Sequence, residues 1–361
     1  MNFENRYSLL DKLLHHLAFR TTKVQTAIAD MEDRLYSGRL ESIPIDRPVF
    51  VTALPRAGTT IVLELLVNSG FASHTYRDMP FVICPMIWHN YSNHFFKGDS
   101  ARERAHGDGL TISMGSPEAL EEVIWKAHWP DHYRTDVIEP WREFGDSDFA
   151  DFFKSHIRKI LAIRYPDDSA GRRYVSKNNL NIARLDVLPE IFRDCIILIP
   201  FREPLQHAAS LLNQHERFSA MHSKDHFVKH YMEGIGHYEF GETLRPINFD
   251  GWLKDYRRSA ATTLSFWLDY WLASYRRVLS AAGDYAHFLS FEDLSERPRE
   301  TLSALAAVTG LEDRSKLIRQ ANALRVPRKH AIDISGLAPD RIQMAQSLYA
   351  ELCQRSLALE V

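Results

Sequence analysis

Cysteine is scarce in this chain of 361 residues: only Cys84, Cys195 and Cys353 occur, and no two of them form a Cys-x-x-Cys pair. Three widely spaced cysteines argue against a disulfide scaffold or a zinc framework and fit a reducing compartment. An excess of charge of one sign is also lacking, because 44 Lys and Arg residues face 47 Asp and Glu residues, for a formal charge of -3. This balance excludes a generally basic nucleic-acid-binding protein but leaves room for a local anion site.

Long hydrophobic runs are missing as well. The longest apolar stretches, such as residues 81–88, fall well short of the roughly 20 residues that span a bilayer. The first 20 residues are interrupted by charges such as Glu4, Arg6 and Asp11, whereas a secretory signal needs an unbroken apolar segment. We therefore expect a soluble, cytoplasmic protein with no transmembrane segment.

Short apolar runs alternate with helical patterns along most of the chain. Strands are predicted at 48–54, 173–176, 195–201 and 285–291, and helices at 1–40, 61–68, 181–192, 204–217, 298–308 and 340–357. Strands separated by helices indicate a parallel sheet with right-handed crossovers. The sequence thus predicts an α/β fold in which a parallel sheet is flanked by helices.

Three parts are predicted: an N-terminal helical segment 1–46, an α/β domain 47–330, and a C-terminal segment 331–361 whose helix packs on the same domain. Two insertions, 72–150 and 213–283, interrupt the α/β pattern and contain all seven tryptophans. Tryptophans are suited to stacking on sugars, although at helical spacing they more often belong to a core.

The sharpest signal is residues 55–60, Pro-Arg-Ala-Gly-Thr-Thr, between the first predicted strand and its helix. A glycine in such a loop leaves room for a ligand, and the helix start offers unpaired N–H groups and the positive end of its dipole to an anion. Hydroxyls and a guanidinium add donors for phosphate oxygens. The alternative is a capped helix after a core strand. The candidate anion-binding residues are Arg56, Ala57, Gly58, Thr59 and Thr60.

Two further positions follow predicted strands. Arg202 lies at the carboxyl end of strand 195–201 and Ser210 is eight residues further on, so both can face the crevice where open α/β sheets bind ligands. Lys177 ends strand 173–176, where a cation can neutralise charge on a transferring group. Read alone, each of these can equally be a solvent-exposed side chain.

Together these residues resemble the sulfotransferases that use 3'-phosphoadenosine 5'-phosphosulfate (PAPS), in the Pro-Arg-Ser-Gly-Thr-Thr branch that includes tyrosylprotein, carbohydrate and bacterial enzymes. The first family motif matches residues 55–60. The Arg-Asp-Pro motif with its later Ser matches 202–204 and Ser210, the Lys-Asn-Pro motif matches 177–179, and Glu-Asp-Leu matches 292–294. The departures are Ala for Ser in the first motif, Glu for Asp in the second, and Asn for Pro in the third.

The resemblance implies a P-loop-type sheet and a metal-independent transfer of a sulfuryl group from PAPS to a hydroxyl. It implies that the first motif binds the 5'-phosphosulfate and that Arg202 and Ser210 bind the 3'-phosphate. Arg56 and Lys177 would then stabilise the leaving phosphate. The helical insertions would form the acceptor side, with a small molecule or a glycan as acceptor and carbohydrate favoured by analogy. Nothing in the sequence indicates the oligomeric state.

Family members carry a carboxylate or histidine that accepts the acceptor's proton shortly after the first helix. In this sequence that segment is 74–80, so Asp78 is the first candidate base and His74 the second. Glu122 is the third, because it lies at the end of a carboxylate-rich stretch in the first insertion. Asp78 can alternatively pair with Arg77 or another neighbouring cation.

Two other functions remain open at this stage. A nucleotide-dependent kinase would share the fold, but a Walker A loop needs a Lys after Gly58, where the sequence has Thr59. A non-catalytic nucleotide-binding or scaffold protein would keep the loop without turnover.

Overall fold

The computed structural model describes residues 9–95, 102–103, 111–112, 114–326 and 328–357. Residues 1–8 and 358–361 of the predicted terminal segments, and parts of the 72–150 insertion, lie outside these ranges. The strands are β1 Val49–Val51, β2 Arg102–Glu103, β3 Thr111–Ile112, β4 Val175–Lys177, β5 Ile196–Phe201 and β6 Ala286–Ser290. The α-helices are α1 Leu9–Arg20, α2 Thr22–Leu35, α3 Ser37–Leu40, α4 Thr59–Asn68, α5 Pro85–Phe95, α6 Glu122–His128, α7 Ser147–Arg164, α8 Leu188–Ile191, α9 Pro204–His222, α10 His226–Gly234, α11 Leu264–Ala281, α12 Phe291–Glu296, α13 Pro298–Thr309, α14 Arg314–Ile318 and α15 Pro339–Gln354.

Four strands form a parallel sheet in the order β4-β1-β5-β6. β1 pairs with β4 on one side and β5 on the other, with Val51 in register with Lys177 and with Leu198. After β1 the chain thus crosses to β4 on one side of β1, and it later returns to form β5 on the other side of β1. Such a reversal opens a crevice at the carboxyl ends of the strands, where α/β proteins bind ligands.

The sheet is buried on both faces, as its almost continuous apolar strands predict. On one face, Phe50, Ile197 and Phe201 pack into the larger core cluster. On the other face, Val49 and Leu198 pack against α4 and α13 in a second cluster. These two apolar layers fix the position of the sheet edge from which the loops of the site emerge.

The predicted strands and most predicted helices are confirmed, with shorter strands and a longer α9 than the sequence indicated. The exception is the predicted helix 181–192, which is a 3-10 helix, Asn179–Ala183, followed by the four-residue α8. The side chain of Asn178 accepts a hydrogen bond from the amide of Leu180 and starts a tight turn. Arg184 then points inward to an acidic partner, which breaks the helical path.

Tryptophans of the two insertions mostly serve as core residues. Trp125 and Trp141 are fully buried and enclose the guanidinium of Arg184, whose central carbon lies 4.3 and 4.1 Å from the two ring centroids. Trp267 and Trp271 of α11 are also fully buried. The core interpretation of these four residues is therefore confirmed. None of the helices in the described ranges is both long and apolar enough to cross a bilayer.

Candidate functional site

The carboxyl ends of four parallel strands bring the predicted motifs to one edge of the sheet. Lys177 ends β4, the loop 52–58 follows β1, Arg202 follows β5, and Phe291 follows β6. Lys177 is buried and lies in register beside Val51, the last residue of β1. The sequence analysis therefore predicted their common edge correctly, although the first and the last of these motifs are more than 200 residues apart in the chain.

The loop after β1 has an unusual backbone. Arg56 has a φ of 71° and Gly58 a φ of 94°, both in the left-handed region. A Cβ on Gly58 would lie 2.8 Å from the ring of Phe291, so close packing as well as conformation requires glycine. Gly58 also stands at the N-cap of α4, where no side chain caps the helix. The first amides of α4, at Thr59 and Thr60, can therefore bind an anion.

A cation and a hydroxyl meet beside this loop. The Nε of Arg56 donates a hydrogen bond to the Oγ of Ser210 at 3.4 Å. Ser210 lies on the buried side of α9, as its spacing from Arg202 predicted. The family resemblance places Ser210 in the second motif only, whereas in the structure it also contacts Arg56 of the first motif.

Arg202 is the second cation of the site and is 7% exposed. Its guanidinium carbon lies 5.0 Å from the centroid of the Phe291 ring. Burial lowers the pKa of Arg202 and the positive charge of Arg56 acts in the same direction, opposed by Glu292. Each of the two guanidinium groups makes the positive charge of the other less favourable. A bound anion would offset this repulsion through charge-assisted hydrogen bonds.

His207 holds the loop after β1 through a hydrogen bond to the backbone of the loop. Its buried Nε2 lies 2.7 Å from the carbonyl oxygen of Pro55 and donates to it, since a carbonyl can only accept. Burial lowers the pKa of His207 to about 3, although the hydrogen bond to Pro55 opposes the shift. A neutral His207 thus holds the residue before Arg56 in place. No sequence pattern indicates this contact, because the two residues are 152 positions apart.

Glu203 explains one departure from the family motif. Its carboxylate accepts a hydrogen bond from the amide of Gln206 at 2.7 Å and caps the start of α9. Its own amide donates to Glu292 at 3.0 Å, and Tyr349 of α15 donates to the other oxygen of Glu292. Glutamate at this position therefore caps the helix as an aspartate would, and the C-terminal helix is tied to the same edge.

Asn179 connects two parts of the site. Its side-chain oxygen accepts a hydrogen bond from the hydroxyl of Thr59 at 3.2 Å, and its side-chain nitrogen donates to Glu239 at 3.2 Å. The backbone oxygen of Asn179 also accepts from the hydroxyl of Thr52. Asn179 belongs to the motif at 177–179 but was not predicted as a site residue, and no sequence pattern indicated Glu239.

His330 is another residue that the sequence analysis missed. Burial lowers the pKa of His330, and the positive charges of Arg202 and Arg56 act in the same direction. Its backbone exchanges two hydrogen bonds with the side chain of Gln206 on α9. The exposed Arg328 and Lys329 precede it. A basic segment far along the chain therefore lies against α9, the helix that carries Ser210.

The candidate bases Asp78 and His74 are buried away from solvent, at 2% and 1% exposure. Asp78 forms an ion pair with Arg164 and accepts a hydrogen bond from the amide of Thr75 at 2.8 Å. Although burial opposes it, the charge of Arg164 lowers the pKa of Asp78. His74 lies 3.3 Å from Asp78 and 3.1 Å from His156. Asp78 thus pairs with a cation, as the alternative anticipated, but that cation is Arg164 and not Arg77.

Glu122 is also buried and engaged on both oxygens. Arg184 binds it with two nitrogens at 2.7 and 2.8 Å, and Asn178 donates to it at 2.8 Å. Despite burial, the charge of Arg184 lowers the pKa of Glu122. Through Asn178, Glu122 supports the segment directly after Lys177. Nothing yet tests the predicted catalytic roles of Asp78, His74, Glu122, Arg56 or Lys177, which stay predictions.

Metal ligands were not expected at the site. In the described ranges, no group of three or more His, Cys, Asp or Glu side chains has the arrangement of a metal site. The cysteines Cys84, Cys195 and Cys353 are free thiols.

The parallel sheet thus brings together at one edge the strand–loop–helix unit around Gly58 and the guanidinium groups of Arg56 and Arg202. The family model of the sulfotransferase family matches residues 48–242, more than half of the chain. The chain belongs to the sulfotransferase family. The matched region includes the loop 52–58, Lys177, Arg202 and Ser210.

A solved sulfotransferase structure shares this fold. The sulfotransferase STF9 from Mycobacterium avium is similar at a TM-score of 0.52 and 14% identity, covering 92% of this chain and 82% of that chain. The sulfotransferase STF1 from Mycobacterium tuberculosis H37Rv is similar at a TM-score of 0.49 and 15% identity, covering 95% of this chain and 87% of that chain. No curated protein sequence matches the chain.

Proposed function

We propose that this protein transfers a sulfuryl group from PAPS to a hydroxyl group of an acceptor. The observation that carries the proposal is the contact of Arg56 with Ser210 beside the uncapped start of α4. A helix N-terminus with hydroxyl and guanidinium donors suits the 5'-phosphosulfate. Arg202 and Ser210 supply a second group of donors that suits the 3'-phosphate, the feature that distinguishes this donor from ATP.

The proposed chemistry is an in-line displacement that needs no metal. Negative charge develops on the leaving phosphate as its bond to sulfur breaks. Arg56, Lys177 and the amides of Thr59 and Thr60 supply positive charge and donors there without having to reorganise. The buried position of Lys177 beside the end of β1 supports this role.

The acceptor we favour is a carbohydrate hydroxyl, with other small hydroxyl compounds as the alternative. This preference rests on analogy within the family, since the four fully buried tryptophans are core residues and are not available for stacking. The helical insertions 72–150 and 213–283 are proposed to form the acceptor side. We also propose a cytoplasmic location, supported by three free thiols, of which Cys84 and Cys195 are buried.

Calorimetry with adenosine 3',5'-bisphosphate, the donor product, tests the proposal. In the presence of a chelator we expect this ligand to bind, and to bind more tightly than adenosine 5'-phosphate or ATP. Tighter binding of ATP that depends on magnesium would contradict the proposal and favour a kinase. Binding of the bisphosphate without consumption of PAPS would favour a non-catalytic nucleotide-binding protein.

A further inference from the structure

Glu239 lies two hydrogen bonds away from the start of the phosphate-binding helix. Its Oε1 accepts from Nδ2 of Asn179 at 3.2 Å, and Oδ1 of Asn179 accepts from the hydroxyl of Thr59 at 3.2 Å. Thr59 is the first residue of α4. Both the oxygen and the nitrogen of the Asn179 side-chain amide take part in these hydrogen bonds. Asn179 therefore fixes the carboxylate of Glu239 relative to the anion-binding loop.

The side chain of Glu239 is partly exposed to solvent. Its neighbours Tyr238 and Phe240 are buried, whereas Glu239 is half-buried. No described residue donates a hydrogen bond to its Oε2. One oxygen is therefore used for orientation and the other is available to a ligand.

The segment that carries Glu239 is held firmly by the helices around it. A Cβ on Gly236 would lie 2.5 Å from Cγ of Glu122, so the segment packs tightly on α6. The amide of Gly241 donates to Nδ1 of His215 at 3.1 Å on α9. Anchors on both sides of Glu239 give the rigid placement that a catalytic group requires.

The distance from the loop suits a group that removes the acceptor's proton. In a near-attack arrangement the reacting atoms lie roughly 3–3.5 Å apart, and a base lies roughly 2.6–3.2 Å from the oxygen that it deprotonates. The acceptor oxygen therefore lies between the donor and the base. A base for in-line transfer should be separated from the loop that holds the donor by about two such distances. Glu239 occupies such a position, whereas Asp78, His74 and Glu122 are at most 2% exposed and bound to neighbouring side chains.

We propose that Glu239 is the general base of the transfer and that Asn179 is its positioning residue, an inference that rests on the proposed function. The acceptor oxygen forms a bond to sulfur while the bond between sulfur and the bridging phosphate oxygen breaks. The electron pair of the broken bond remains on the phosphate. The acceptor proton moves to Oε2 of Glu239, so the products are the sulfate ester, adenosine 3',5'-bisphosphate and a protonated Glu239 that returns its proton to water.

Consumption of PAPS by the full chain tests this role, measured as release of adenosine 3',5'-bisphosphate with water alone and with added sugars and alcohols. Glu239→Gln keeps an oxygen for Asn179 but cannot accept the proton. We expect turnover to fall roughly 10²- to 10⁴-fold with unchanged calorimetric affinity for adenosine 3',5'-bisphosphate. In Glu239→Ala, added formate should restore part of the rate by replacing the missing carboxylate.

The matched control is Glu242→Gln. Glu242 lies in the same segment, is 42% exposed and pairs with Lys229 at 2.8 Å, so its substitution should leave turnover unchanged. Turnover by Glu239→Gln equal to wild type would overturn the inference, and so would an equal loss of donor-product affinity and turnover. A wild-type chain that never consumes PAPS would instead overturn the proposed function, which separates the two failures.

Discussion

Arg56 donates a hydrogen bond from Nε to Oγ of Ser210, 154 residues further along the chain. The contact joins the loop after β1 to the second turn of α9, and thereby joins the two groups proposed to hold the two ends of the donor. Arg56 reaches Ser210 from a backbone with a φ of 71°. Strained positions of this kind are concentrated at functional sites.

Arg56→Ala tests the charge at the loop. We expect turnover to fall roughly 10²- to 10³-fold, as for loss of one preorganised donor in the transition state. Alanine also carries a Cβ, so the strain at this position stays and the melting temperature should change little. Arg56→Lys is the matched variant, which keeps the charge but loses the planar fork. A folded Arg56→Ala protein with wild-type turnover would contradict the assignment.

Arg202→Ala separates the two phosphates. We expect affinity for adenosine 3',5'-bisphosphate to fall by about 1.5–3 kcal/mol, the value of a charge-assisted hydrogen bond, with a much smaller change for adenosine 5'-phosphate. Ser210→Ala should act in the same direction but less strongly, because its hydroxyl is neutral. Calorimetry with both ligands measures the difference.

The control for this pair is Arg217→Ala, since Arg217 is an exposed residue of the same helix. Its substitution should change neither affinity. Equal losses for both ligands in Arg202→Ala would mean that Arg202 supports the structure and does not recognise the 3'-phosphate.

His207 should make stability depend on pH. Its pKa of about 3 in the folded chain lies below the value of about 6.5 expected when unfolded. The unfolded state therefore takes up a proton first as the pH falls. Between pH 7.5 and pH 5 the free energy of unfolding should drop by about 2 kcal/mol more in the wild type than in His207→Gln.

Denaturant unfolding at both pH values measures this difference. His226→Gln is the control, because His226 is exposed at the start of α10 and its substitution should leave the pH dependence as in the wild type. A His207→Gln variant with the wild-type pH dependence would show that His207 titrates normally in the folded chain.

Asp78→Asn distinguishes a structural from a catalytic role for the residue first predicted as the base. Breaking its buried pair with Arg164 should lower the free energy of unfolding by about 3 kcal/mol, while turnover per folded molecule is retained. The exposed pair of Asp168 with Arg172 provides the control, since Asp168→Asn should cost under about 1 kcal/mol. A stable Asp78→Asn protein without turnover would return the role of base to Asp78.

Motifs whose residues lie close together in the sequence could be predicted from the sequence alone. Residues 55–60 encode their own loop, because a buried strand, a glycine and a helix start follow one another directly. The spacing of Ser210 from Arg202 also predicted that Ser210 lies on the side of α9 that faces the protein interior. Parallel strands then brought Lys177 to the same edge, since their carboxyl ends share it.

Contacts between distant segments could not be predicted. His207 beneath Pro55, Arg164 beside Asp78, and Asn179 between Thr59 and Glu239 depend on how elements pack, which no local spacing encodes. The wrong prediction of a helix at 181–192 has the same cause. The sequence there has a helical pattern, but Arg184 is buried against Glu122, 62 positions away, and the helix does not form.

The most direct test is a crystal structure of the complex with adenosine 3',5'-bisphosphate. We expect the 5'-phosphate to lie within hydrogen-bonding distance of the amides of Thr59 and Thr60, and the 3'-phosphate to lie beside Arg202 and Ser210. The open side of the 5'-phosphate should then face the carboxylate of Glu239. A nucleotide bound elsewhere, or one whose 3'-phosphate is not in contact with Arg202, would contradict the account.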